Sequence, residues 1–181
     1  MKSDVLLKNK KMNYNEIIKR IKSLQSPKNV KGMSKFGIRP KTKVYGVSMP
    51  ELRKIAKIIK KDHKLALRLW DSKIHEAKIL ASIVANPEEI TEKQIDKWVK
   101  DFDSWDVCDQ VCMNLFNKTK FAYKKVFEFS ERKEEFVKRT AFALIAALAV
   151  HNKEAKDKYF INFFRLSRPH QLTKEILLKK Q

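Results

Sequence analysis

Glycine is the residue that most restricts this chain. There are only three in 181 residues, Gly32, Gly37 and Gly46, all within one short stretch. Everything after Gly46 must therefore change direction without the left-handed backbone that glycine supplies at no steric cost. Period-two alternation of β-branched and aromatic residues is nearly absent, so strands are not expected. Helices joined by short polar links remain, and the chain reads as all-α.

The helix starts are marked by residue type. Asn13 precedes a segment from Tyr14 to Leu24 with apolar Ile17, Ile18, Ile21 and Leu24. Ser48-Met49-Pro50-Glu51 has the form of a capping box with proline in the first turn, opening a helix to about Lys61. A short helix after Asp62 carries Leu65, Leu67, Leu69 and Trp70. Ser72 is expected to open a helix from Ile74 to Ala85, stopped by Pro87. Thr91-Glu92-Lys93-Gln94 is a second capping box. Asp103 or Ser104 opens Trp105 to Phe116, and Thr119 opens a helix to about Phe129. Glu134 to Val150 is the most apolar helix and should be central. A helix from Asn152 through Leu166 and a weak turn over Thr173 to Lys179 complete the series. Eight to ten short helices with links of 2–6 residues form either a compact bundle or an α-solenoid of stacked pairs, with a period of roughly 35–45 residues. The chain is expected to divide into a basic N-terminal arm (1–12), a helical repeat domain (13–166) and a C-terminal tail (167–181).

Charge narrows the partner. Lys+Arg number 41 against 21 Asp+Glu, a formal net charge of +20. Such an excess points to a polyanion, nucleic acid before an acidic membrane surface, with affinity that falls as salt rises. A coding bias that loads surfaces with lysine is the bland source of the same excess. No apolar targeting segment follows the basic residues 1–12, and no run approaches the ~18 apolar residues of a membrane span. With Cys108 and Cys112 four apart on one expected helix, an intrachain disulfide is not expected. A cytoplasmic, nucleoid-associated protein with reduced thiols is the expectation.

One stretch breaks the basic pattern: Asp101-Phe102-Asp103-Ser104-Trp105-Asp106-Val107-Cys108-Asp109. Asp103 and Asp106 read as cap and first-turn residues favoured by the helix dipole. Trp105 and Asp109 are i and i+4, hence neighbours at the edge of an apolar stripe formed by Cys108, Val111, Cys112, Leu115 and Phe116. They bring a π-face and a carboxylate together where core meets surface. Alternatively Trp105 is plain core and Asp109 pairs with a nearby cation. Further along, Arg139 abuts the run Thr140 to Ala147 and needs a carboxylate or a phosphate. The four histidines lack metal-ligand spacing, His75-Glu76 lacks the second histidine of a zinc-protease helix, and no glycine-rich phosphate loop exists. No metal site and no cofactor are expected.

These segments resemble, in order, the AlkD-like HEAT-repeat DNA glycosylases. The resemblance is carried by Val44-Tyr45-Gly46-Val47-Ser48-Met49-Pro50-Glu51-Leu52-Arg53, by Leu69-Trp70 with His75-Glu76-Ala77, by the Trp-Asp-x-x-Asp motif at Trp105 to Asp109, and by Phe136-Val137-Lys138-Arg139-Thr140-Ala141. It covers about residues 28 to 165. It implies an α-solenoid holding double-stranded DNA in a basic groove and hydrolytic removal of N3- and N7-alkylated purines. Trp105 and Asp109 take the catalytic positions, and Arg139 beside Lys138 contacts phosphate. Phe36 stands where these glycosylases usually carry tyrosine. The family continues with helices that supply another tryptophan. Here Phe163 to Pro169 leads into a tail with no counterpart in that pattern, so a shortened member is expected. The resulting expectation is a monomeric, metal-free, monofunctional DNA glycosylase. The alternative is a non-catalytic HEAT module that recognises damaged or branched DNA; a protein-binding scaffold is disfavoured by the charge.

Overall fold

In the computed structural model the described residues are 12–151. Nine α-helices and one 3-10 turn account for most of them: α1 (Tyr14–Ser23), α2 (Pro27–Lys35), α3 (Met49–Ile59), α4 (His63–Trp70), α5 (His75–Val84), α6 (Glu92–Lys100), α7 (Trp105–Asn114), the turn Phe116–Lys118, α8 (Ala122–Ser130) and α9 (Glu135–His151). The expected helices over Asn152–Leu166 and Thr173–Lys179, the tail and nearly all of the basic arm lie outside the described residues. No strand is present among the described residues, which contain one isolated parallel bridge between Lys43 and Ile74.

Helices α3, α5, α7 and α9 pack side by side in one row, while α4 packs on α5 and α8 on α9. That is a stack of helix pairs, as the short links and helix lengths predict. The repeat is tighter than the expected 35–45 residues. The first residues of α5, α7 and α9 are His75, Trp105 and Glu135, a spacing of 30. Helices of only 8–10 residues from α4 to α8, joined by very short links, account for the difference.

Several helix starts differ from the sequence reading, each for a local reason. Asn13 forms a reciprocal capping box with Glu16 at α1. Ser48 makes no side-chain cap, and the Glu51 carboxylate, expected to serve the Ser48 amide in the same box, takes Lys54 Nζ at 2.6 Å instead. Thr91 accepts from the Gln94 amide as expected. Ser72 closes α4, donating to the Leu69 carbonyl at 2.6 Å, rather than opening α5. Thr119 likewise donates to the Phe116 carbonyl, so α8 begins three residues later. Helix α2 escaped the pattern reading because it buries no residue fully and contains Gly32 within its nine residues.

The core centres on Trp70 and Trp98, whose rings stack in parallel with centroids 4.0 Å apart, with Phe102 edge-on at 5.9 Å. Trp70 Nε1 donates to Asp101 Oδ2 at 3.0 Å, so its one polar atom is satisfied. Gly46 is the position where glycine is indispensable. Its φ is +74°, and a Cβ there would lie 2.5 Å from the Ser26 carbonyl oxygen and 2.9 Å from Val30. The chain thus passes hard against the N-terminus of α2. It is held there by Ser26 N–H donating to the Tyr45 carbonyl and by Asn29 Nδ2 donating to the Gly46 carbonyl, each at 2.8 Å.

Candidate functional site

Helix α7 positions the site. Its inner stripe of Val107, Cys108, Val111 and Cys112 is buried, which fixes the rotation of the helix and leaves Trp105 and Asp109 at the boundary with solvent. Trp105 is 37 % exposed. It is therefore not plain core, and its indole Nε1 donates to the backbone carbonyl of Phe36 at 3.2 Å. Phe36 itself is the most exposed large hydrophobic residue described, at 76 %. The structure thus brings Phe36 to Trp105 through its main chain and leaves its ring facing solvent.

Asp109 does pair with a cation, and the cation is Arg139. Arg139 Nε and Nη2 donate to the two carboxylate oxygens at 3.0 and 2.7 Å, a fork-to-fork pair between α7 and α9. Those bonds hold the Arg139 pKa above its ordinary value. The same guanidinium lies 5.5 Å from the centroid of the Trp105 ring. Three of the sequence-derived site residues therefore converge. Both ends of the ion pair remain partly open, at 41 % for Arg139 and 33 % for Asp109. A cleft of about 300 Å³ lies beside them, floored by Met113, Phe142, Ala143 and Ala146. Lys138 is exposed one position before Arg139 on α9.

Asp103 does not take the cap role expected from the sequence, because Ser104 is the N-cap residue of α7 and makes no side-chain cap, while Asp106 does more than serve the first turn. Asp106 lies in the first turn of α7, but its oxygens accept from Ser104 Oγ at 2.7 Å and from His75 Nε2 at 2.8 Å. Asp103 accepts from the Thr42 amide at 3.0 Å and lies 3.7 Å from Lys78 Nζ. Each ties α7 to the preceding repeat, and a single sequence shows no signal for that. Burial pushes the Asp106 carboxyl up, but hydrogen bonding and charge from His75, with help from Ser104, outweigh it and leave the pKa below its ordinary value.

Glu76 is a site residue that sequence reasoning did not single out. It is 1 % exposed. One oxygen, Oε1, accepts from the backbone amides of Tyr45, Gly46 and Val47 at 2.9, 2.5 and 3.3 Å. A glutamate in the first turn of a helix ordinarily serves its own N-terminus; this one organises a remote loop. A signal was present in Tyr45-Gly46, since a glycine at a forced turn offers its amides in a row.

Thiol chemistry and metal chemistry find no support around α7. Cys108 and Cys112 are free and buried, and burial pushes the Cys112 thiol well up, away from the reactive thiolate. Among the described residues no group of His, Cys, Asp and Glu could hold a metal ion. No helix among them is long and apolar enough to cross a membrane.

Known proteins fit this architecture. A solved structure, described as a new family of proteins related to the HEAT-like repeat DNA glycosylases with affinity for branched DNA structures, superposes with a TM-score of 0.72 at 20 % identity. The match covers 79 % of this chain and 60 % of that one, and establishes the HEAT-like fold. Two uncharacterised proteins, from Listeria monocytogenes serovar 1/2a and Listeria innocua serovar 6a, are 29 % and 28 % identical over 87 residues. Those segments make up 47 % of this chain and 39 % of each relative, so the match spans well under half of their length. The sequence pattern described as DNA alkylation repair enzyme matches residues 17–168. This covers every helix described from Ile17 onward, including α7 and α9, and the chain belongs to the DNA alkylation repair enzyme family.

Proposed function

We propose that this protein is a monofunctional DNA glycosylase that hydrolyses the N-glycosidic bond of N3- and N7-alkylated purines in double-stranded DNA. The observation that carries the reading is the convergence of Trp105, Asp109 and Arg139 at one partly open cleft. An alkylated purine is cationic, so its bond to C1′ is already weak. When that bond breaks, its electron pair goes to the purine and neutralises it, while positive charge develops on the sugar. The Asp109 carboxylate stabilises that charge and orients the water that adds to C1′, whose surplus proton is released to solvent. Trp105 offers its π-face to the cationic base or sugar. Arg139 is the phosphate contact, with Lys138 and Phe36 at the margin of the DNA footprint. In the resting protein Arg139 is occupied by Asp109, so DNA binding would exchange a carboxylate partner for a phosphate. The reaction needs no metal and no cofactor, the working unit is a monomer, and the setting is the nucleoid in the cytoplasm.

A second reading is a non-catalytic module for damaged or branched DNA. Two observations favour it: Phe36 presents a ring without a hydroxyl at the rim, and both Asp109 oxygens are already engaged by Arg139. The discriminating experiment is incubation of the protein with duplex DNA containing 7-methylguanine, followed by chromatography of released base. Release above the spontaneous rate is expected. Duplex binding without release would refute the glycosylase reading in favour of the second.

A further inference from the structure

A cleft of about 490 Å³ opens where α4 and α6 end and α5 and α7 begin. It lies off the ends of the helix pairs, whereas Asp109 and Arg139 sit within α7 and α9 themselves. Its walls come from three segments, 41–43, 70–78 and 100–103. Hydrogen bonds stitch these together. The Lys43 amide donates to the Lys73 carbonyl at 3.0 Å, and the His75 amide to the Lys43 carbonyl at 2.9 Å. The Thr42 amide donates to Asp103 Oδ2 at 3.0 Å, and Trp70 Nε1 to Asp101 Oδ2 at the same distance. The walls are thus held in place before anything binds.

Five lysines and three aspartates line the cleft. The acids are all engaged: Asp71 with Lys97 at 3.2 Å, Asp101 with the Trp70 indole, and Asp103 with the Thr42 amide and, at 3.7 Å, with Lys78. Two of the lysines are engaged as well. Lys78 is buried and donates to the Asp101 carbonyl at 2.8 Å, and Lys43 Nζ lies 5.3 Å from the centroid of the Tyr45 ring. Lys41, Lys73 and Lys100 remain. All three are exposed, and their ammonium groups have no hydrogen bond or ion pair among the described residues. The end of α6 favours a cation such as Lys100, but not two more brought to it from other segments. Lys73 is moreover held at φ +56°. Glycine or asparagine takes that conformation at lower cost, so the fold alone does not call for lysine there.

Resting on the reading that the protein binds DNA, we infer that this cleft grips the phosphodiester backbone, with Lys41, Lys73 and Lys100 each neutralising a phosphate. Three like charges around one cleft repel one another, and phosphates remove that cost while releasing their counterions. The contact is to backbone alone and carries no sequence preference. It takes phosphates other than the one at Arg139, so it adds grip on the duplex outside the reacting nucleotide.

The test is duplex binding by fluorescence anisotropy across a salt series. The wild type is compared with the cleft variant Lys41→Gln/Lys73→Gln/Lys100→Gln and with Lys19→Gln/Lys64→Gln/Lys93→Gln, which removes the same charge from exposed positions elsewhere. The cleft variant is expected to bind at least about tenfold more weakly at about 0.1 M salt, with a log K against log salt slope shallower by about 2–3, near 0.9 for each phosphate. The control is expected to change both far less. Lys73→Gly separates binding from structure: relief of the positive φ raises its urea midpoint, while its slope becomes shallower by about 0.9. Equal losses in the two triple variants, or an unchanged slope in either cleft variant, overturns the inference alone. The same proteins are titrated with poly-glutamate; loss of that binding in the cleft variant with duplex binding intact would give the cleft to an acidic protein and likewise overturn it. No binding of any duplex by the wild type at low salt overturns the DNA reading beneath it.

Discussion

Replacing Asp109 by Asn changes one atom's chemistry and separates two roles that the site combines. The carboxylate holds Arg139 through two bonds of 3.0 and 2.7 Å, and both side chains are more than a quarter exposed, so water screens the pair. A phosphate drawn to Arg139 sits near that carboxylate, and two like charges about 6 Å apart in water-like surroundings repel by roughly 0.7 kcal/mol. Removing the charge should therefore tighten duplex binding by about threefold at low salt, since 1.4 kcal/mol is tenfold. If Arg139 stays with Asp109 in the wild-type complex, its release adds one phosphate contact and steepens the log K against log salt slope by about 0.9. Base release moves the other way. An amide carries no charge to set against the developing sugar cation, and loss of one such electrostatic group costs about 10²–10³ in rate. Fluorescence anisotropy across a salt series reads the first effect and chromatography of released 7-methylguanine the second. Weaker binding by Asp109→Asn would refute the reasoning about Arg139, and unchanged release would remove Asp109 from the chemistry.

Two further outcomes follow from the packing. Gly46→Ala must hold an L side chain at φ +74° against the Ser26 carbonyl, and should cost at least about 2 kcal/mol in urea unfolding; an unchanged midpoint would refute the close approach. Asp106 titrates below its ordinary value in the folded state, so its contribution to stability is present in full above the unfolded pKa of about 3.9 and disappears as pH falls through the lower folded value. Asp106→Asn should therefore flatten the acid limb of a melting-temperature profile below about pH 4, and a limb of unchanged steepness would place the acid sensitivity elsewhere.

The all-helical stack was legible because glycine scarcity and apolar spacing both act locally. So was the placement of Trp105 and Asp109 one helical turn apart on one face of α7, and the need of Arg139 for an anionic partner. Two kinds of feature were hidden. One is the start of a helix where a hydroxyl has two uses: Ser72 and Thr119 close the preceding turn, and sequence does not say which neighbour an Oγ will choose. The other is contact between repeats. His75 with Asp106, Glu76 with the Tyr45–Val47 amides and Asp109 with Arg139 are all about 30 residues apart, set by the repeat length that the sequence reading overestimated. Helix α2 was missed because its stability comes from Ser26 capping and from the Gly46 loop pressed on its first turn, not from a buried face.

The fork between Asp109 and Arg139 joins two successive helix pairs rather than two points on one. In a stacked array, stability is the sum of each pair's own free energy and its interface with the next. A ligand that takes Arg139 away from Asp109 withdraws one of the fastenings between α7 and α9, while a ligand touching both helices replaces it. Occupancy of the cleft and cohesion of the stack are thus thermodynamically linked: a phosphate alone would loosen this joint, and a duplex spanning both helices would tighten it. Hydrogen exchange in α9 would respond to what is bound at α7, making the solenoid itself the reporter of its cargo.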